Sequence, residues 1–219
     1  MGVFDKAWML SDVSKAMEAV QKASNEKLLC RICSESPHAQ VRLAAASKIT
    51  SPQWLIKCAE TSDDETLTIL SSRAQDDATR CGILLASPVK GQAADRLYES
   101  ITDEALLLKI ALCGRYRIRG ARRITDPEKL RELSEALLEK GGPAAYTAGS
   151  IAAEKSGMED LICSYAMKSA DLSQWNQRKA AYTALMNRAE YNAQLSRHLR
   201  ALEIDAAREK MAMAVKENA

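Results

Sequence analysis

Apolar residues recur along this chain at the three- and four-residue spacing of helix faces, and the pattern itself repeats. A phrase appears as ITSPQWLIKCA at 49–59, ITDEALLLKIA at 101–111 and ITDPEKLRELS at 124–134. Ile49, Ile101 and Ile124 each precede a Thr and stand six residues before Leu55, Leu107 and Leu130. The spacings are 101 − 49 = 52 and 124 − 101 = 23, so the longer one reads as two units of 26. A helix–turn–helix of that size cannot bury its own apolar face and gains stability by stacking on its neighbours.

The copy at 49–59 serves as the template. VRLAAASK at 41–48 reads as a first helix, with Val41, Leu43 or Ala44, and Ala45 available to pack. Thr50 or Ser51 is the expected cap, and Pro52 suits the first turn of a second helix carrying Leu55, Ile56, Cys58 and Ala59. Residues 117–134 follow the same plan, Arg117 matching Arg42 and Pro127 matching Pro52. One step back lies ASNEKLLCRIC at 23–33, with a cap expected at Ser24. One step forward lies QDDATRCGILL at 75–85, capped by Asp76 or Asp77. Gly141, Gly142 and Pro143 predict a break, followed by a helix pair over AAYTAGSIAAEK and MEDLICSYAMKS. RKAAYTALMNRAEY at 178–191 restores the first-helix pattern through Arg178, and a last helix carries Leu195, Leu199 and Leu202.

No strand-like alternation is sustained. The expected fold is all-α, a right-handed α-α superhelix (solenoid) of six or seven short hairpins forming one domain over 1–219. Within it, 1–22 is an N-terminal cap, 23–140 the regular repeats, 141–190 looser repeats and 191–219 a C-terminal cap helix.

The first-helix phrase VRLAAA…I-T followed by P-x-x-L resembles HEAT-like repeats over roughly residues 12 to 190. The resemblance implies a curved superhelix that binds proteins or nucleic acids and seldom carries out chemistry. It also implies that Arg42, Arg117 and Arg178 hydrogen-bond neighbouring repeats. AQVR and CGRYR lack the Asp that the family carries a few residues before this Arg, and the unit is short.

Composition narrows the rest. Apolar residues at 47 % and charged residues at 27 % fit an ordered chain, and abundant Ala and Leu with a single Phe suit close helix packing. A net charge of +2 supplies no global field toward nucleic acid or membrane. No apolar run reaches the ~20 residues of a membrane span. The start MGVFDKAWML lacks signal-peptide features, so a cytoplasmic location is expected.

Candidate chemistry is sparse. Cys30-Arg-Ile-Cys33 is a formal C-x-x-C with His38 nearby, but no second pair completes a zinc set. In the aligned copies Cys33 falls on Ala59 and Ala111, and Cys58 on Ile32, Ile110 and Leu133, so these are expected core slots. Cys81, Cys113 and Cys163 also sit among apolar neighbours. No phosphate loop, dinucleotide fingerprint or zinc-protease motif occurs. The reading therefore assigns no catalytic residue, no cofactor and no metal.

The segment Arg115-Tyr-Arg-Ile-Arg119-Gly-Ala-Arg122-Arg123 holds five Arg in nine residues with no acid among them. On a helix Arg115, Arg119 and Arg122 would share a face with Arg123 beside them, and Tyr116 would offer a stacking surface. Asp63, Asp64, Glu65, Asp76 and Asp77 form an opposite patch, read as caps and solvated turns. Trp54 stands where other copies carry Leu28, Leu106 and Lys129, which makes it a candidate contact residue. The expected function is a non-enzymatic scaffold holding a protein or peptide partner, an acidic one if the arginines take part. The alternative is a nucleic-acid binder using the run 115–123.

Overall fold

The computed structural model describes residues 8–9 and 12–168, together with Ile204 and Ala207. Arg178 and the final helix expected from the sequence lie outside the described residues. Among the described residues there are twelve helices and no strand. They are α1 (Val13–Lys22), α2 (Glu26–Glu35), α3 (Ala39–Lys48), α4 (Pro52–Ala59), α5 (Asp64–Arg73) and α6 (Asp77–Ala86). The second half holds α7 (Gln92–Ser100), α8 (Glu104–Leu112), α9 (Arg117–Arg123), α10 (Pro127–Lys140), α11 (Pro143–Ser156) and α12 (Glu159–Lys168).

The three-residue turn is the constant part of the repeat. It joins odd to even helices at 23–25, 49–51, 74–76, 101–103 and 124–126. Its first residue is Ala23, Ile49, Ala74, Ile101 or Ile124, each buried and extended, and each takes the chain inward before the next helix starts. The last residue is a cap: Asn25 receives the N–H groups of Lys27 and Leu28, Asp76 that of Thr79, Asp103 those of Ala105 and Leu106, and Asp126 that of Glu128. The cap of α2 is thus Asn25 and not Ser24, because only Asn25 stands one residue before the first helical position.

Ser51 makes no side-chain cap to α4. A carboxylate from the previous repeat instead holds the turn that leads into α4. Glu26, the first residue of α2, accepts from the Thr50 N–H at 2.7 Å, the Thr50 hydroxyl at 2.8 Å, and the Ser51 N–H and hydroxyl. Asp77, the first residue of α6, does the same for Thr102 and Asp103 at 2.7–3.0 Å. These two acids tie the turns at 49–51 and 101–103 to the helix starts one repeat earlier, where helix N-termini also favour negative charge.

Basic residues close the other end. Lys48 Nζ donates to the carbonyls of Val20, Gln21 and Ala23 at 2.6–2.9 Å, satisfying the end of α1. Arg73 Nε reaches the Ile49 carbonyl at the end of α3. Lys155 Nζ reaches those of Arg122 and Ile124 at the end of α9.

The chain divides into two compact units, Met1–Ile110 and Ala111–Ala219, with the boundary inside α8. In the first unit α1 packs on α3, α3 on α5 and α5 on α7, while α2 packs on α4 and α4 on α6. The two rows meet through α2–α3, α4–α5, α5–α6 and α6–α7. Their shared core holds Leu29, Ile32, Leu55, Leu67, Leu70, Ile83 and Leu84. In the second unit α9 packs on α11, α10 on α11 and α12, and α11 on α12. Ser134 Oγ donates to the Gly149 carbonyl at 3.1 Å, and the Tyr165 hydroxyl donates to the Ser134 carbonyl, which pins these three helices together.

Asp77 carries a pH prediction. The Thr102 backbone N–H is the main cause that brings its pKa down to about 2 from an ordinary 3.8, outweighing burial, with the Asp103 N–H and Arg80 assisting. Its folded value lies below the unfolded one, so its contribution is present above about pH 4 and fades as pH falls toward 2. Asp77→Ala is expected to cost about 1–3 kcal/mol at neutral pH. Urea melts of both proteins between neutral pH and pH 2 check this. A gap that stays constant down to pH 2 would show that the charge is irrelevant.

Candidate partner-binding site

Trp54 is the third residue of α4 and is half-buried. Leu28, Leu106 and Lys129 hold the third positions of α2, α8 and α10, and each is half-buried as well. The residue after each of them is buried: Leu29, Leu55, Leu107 and Leu130. One constant frame therefore presents a slot whose chemistry changes from Leu to Trp to Lys. In α6 the third residue, Thr79, is buried and bonded to Asp76, so that copy presents no such side chain.

The arginine run belongs to the second unit and is not one continuous helix. Helix α9 begins at Arg117 because Tyr116 adopts the left-handed conformation, φ 53° and ψ 28°. Gly114 is also left-handed at φ 97°. Arg115 thus lies on the turn and cannot share a helical face with Arg119 and Arg122, which corrects the sequence expectation. A bulky residue in this region is strained by an amount on the order of 1–3 kcal/mol. Such strain is not visible in residue spacing.

What the turn brings together is Tyr116 and Arg119, whose guanidinium lies over the Tyr ring at 5.4 Å from its centroid. Arg119 and Arg122 are exposed, while Arg115, Tyr116 and Arg123 are half-buried. Arg122 and Arg123 occupy the last turn of α9, where cations suit the carbonyl end, and Lys155 Nζ adds a further charge there. Arg117 folds back under Gly114, where an added Cβ would stand 2.8 Å from its Nη2. Its Nε is buried with no hydrogen bond.

Arg42 is a structural arginine. It donates to the Ser36 carbonyl at 3.1 Å and to Asp63 at 3.0 Å, and Asp63 in turn caps α5 through the Thr66 N–H. The acid that pairs with Arg42 thus comes from the following repeat. Three acids of the patch are engaged in this way: Asp63 and Asp76 cap helices, and Asp77 clasps a turn and pairs with Arg80.

Cys30, Cys33, Cys58 and Cys81 are buried free thiols, as their repeat slots predict. Cys113 is exposed, contrary to expectation, because α8 ends at Leu112 and leaves it on the turn. The side chain of Cys163 lies outside the described residues. Among the described residues no group of three or more His, Cys, Asp or Glu side chains is arranged to hold a metal ion. None of the described helices is long and apolar enough to cross a membrane.

Sequence reading missed the carboxylates of Glu26 and Asp77 as inter-repeat ligands. The available signal was an acid at the first position of an even helix, one repeat before a Thr. Comparison of the chain with protein families, with curated proteins and with solved structures yields no match.

Proposed function

We propose that this chain is a non-enzymatic α-solenoid module whose helical surface holds a protein or peptide partner. The observation that supports this reading is the constant frame with a variable slot. Leu28, Trp54, Leu106 and Lys129 occur at one register position, half-buried, over a buried Leu in every case. A stack built only for stability has no need to vary a semi-exposed position among Leu, Trp and Lys. A stack that reads a ligand along its length does.

The arginine run supplies a separate, polar contact on α9 of the second unit, through Arg119, Arg122 and Arg123 with Arg115 on the adjoining turn. Guanidinium groups favour a carboxylate-rich partner. The second reading, nucleic-acid binding, draws on the same residues and on the Tyr116–Arg119 pair, where an aromatic and a guanidinium plane lie together.

Titration of the full chain with an acidic peptide and with single- and double-stranded oligonucleotides, each at two salt concentrations, tests the choice. The expected result is peptide binding that weakens about tenfold on Trp54→Ala and about tenfold on joint Arg119→Ala and Arg122→Ala substitution. Oligonucleotide binding that falls by orders of magnitude with salt and ignores Trp54→Ala would replace this reading with the second one. Affinities unchanged by either variant, in protein that stays helical, would remove the site.

A further inference from the structure

Arg42 and Arg117 stand seven residues before the buried Ile49 and Ile124 of their turns. In α1, α5 and α7 the same place is held by Ala16, Leu67 and Ala94, all of them buried. An arginine in this slot sets out from a core position and needs partners for its guanidinium. Arg42 has them. It donates to the Ser36 carbonyl and to Asp63, and Asp63 is the cap of α5, the next odd-numbered helix.

Arg117 lacks such an acid. Its Nε is buried without a hydrogen-bond partner, and among the described residues no carboxylate pairs with it. The odd-numbered helix that follows α9 is α11, which packs on α9 as α5 packs on α3. The cap position of α11 is Gly142, so the residue that answers to Asp63 has no side chain. A Cβ built there would meet no atom within 4 Å. In the first unit slot and cap agree. Arg42 is followed by Asp63, and the apolar Leu67 by Gly91 at the cap of α7. Among the described helices Arg117 alone keeps the cation of this arrangement after the acid has gone.

We propose that the Arg117 guanidinium is a carboxylate-binding site, at which an Asp or Glu side chain of the acidic partner takes the role that Asp63 plays for Arg42; this rests on the reading of the arginine run as a contact for such a partner and names the anchor within it. Two observations favour a carboxylate brought from outside. A guanidinium has no neutral form to fall back on, so a partly buried one without a counter-charge costs stability that an arriving anion restores. The segment around it, residues 113–123, carries five Arg and no acid that could serve instead. A carboxylate fits better than a phosphate because the matching site of the first unit holds one, with Arg42 Nη2 3.0 Å from an Asp63 oxygen.

The experiment compares the full chain with Arg117→Leu, a side chain that the same slot already holds at Leu67. Both are titrated with a Glu-rich peptide, with its counterpart carrying Gln for Glu, and with inorganic phosphate. The Glu-rich peptide is expected to bind the parent about tenfold more tightly than the variant, and the Gln peptide to bind neither. Thermal melts without ligand give a second readout. Arg117→Leu should melt above the parent, whereas Arg42→Leu, which strands Asp63, should melt below it. If Arg117→Leu does not fold, Arg117→Gln replaces it, with the same loss of peptide affinity expected. Equal affinity of parent and variant for the Glu-rich peptide would overturn the site, while the arginine-run reading stands if joint Arg119→Ala and Arg122→Ala substitution still weakens binding. Binding that depends on Arg117 and ignores that joint substitution would keep the site and remove the reading. An Arg117→Leu variant that melts below the parent, or that loses phosphate binding while keeping the peptide, would also overturn the proposal.

Discussion

Ile49→Ala is expected to lower the free energy of unfolding by about 3 kcal/mol, within the range of about 2–5 kcal/mol for truncating a buried Ile. Ile49 is fully buried and sits on the turn between α3 and α4. Its carbonyl also receives Arg73 from α5, so the turn is held from the next repeat and cannot collapse freely into the space left behind. Ala occupies the same turn position at Ala23 and Ala74, which shows that the backbone tolerates it. The loss therefore comes from an unfilled cavity and not from a forbidden conformation. Urea denaturation followed by helical circular dichroism should show a lower midpoint with an unchanged slope. Trp54→Ala, at a half-buried position, should cost clearly less. A loss below about 1 kcal/mol for Ile49→Ala would mean that the turn residue is not part of the stacking core.

Gly149→Ala is expected to destabilise the second unit by about 2 kcal/mol, from the range of about 1–3 kcal/mol for overpacking. Helix propensity alone predicts the opposite sign, since Ala in a helix interior is favoured over Gly by about 1 kcal/mol. The added Cβ on α11 would fall inside the Tyr165 hydroxyl and within 2.9 Å of Cε1. Tyr165 has nowhere to go. Its hydroxyl is bonded to the Ser134 carbonyl, and its ring meets that of Tyr146 edge to face at 5.9 Å. Burial pushes its pKa up to about 12, so the neutral hydroxyl remains the donor across the accessible pH range. Tyr165→Phe alone should cost about 1 kcal/mol for the lost hydrogen bond. In the Gly149→Ala background the same change should recover part of the loss, because it removes the first atom in the way. Thermal melts of the four proteins of this cycle give the coupling directly. A stabilised Gly149→Ala variant would show that propensity outweighs the contact.

Much of the architecture was legible in the chain because its causes are local. The buried Ile49, Ile101 and Ile124 and the buried Leu55, Leu107 and Leu130 are the positions that the repeated phrase singles out. Asp76 and Pro127 mark helix starts through their own side chains. The inferred copies at 23 and 75 fall on real turns, at 23–25 and 74–76, because helix length and turn length together set the period. Cys33 and Cys58 could be placed in the core from the residues that replace them in other copies.

What the sequence alone determined is therefore the all-helical content, the period and the buried face, since each depends on residues a few positions apart. Tertiary structure decided the rest, because it depends on which atoms meet across helices. The Glu26 clasp on Thr50 and the Arg42 pair with Asp63 join residues 24 and 21 positions apart, and side-chain reach between packed helices selects them. Tyr116 is the clearest case at the candidate site. Spacing placed Arg115 on a helix with Arg119, but the left-handed Tyr116 ends that geometry and lays its ring under Arg119 instead. Local propensity disfavours that backbone state, and only the surrounding packing holds it.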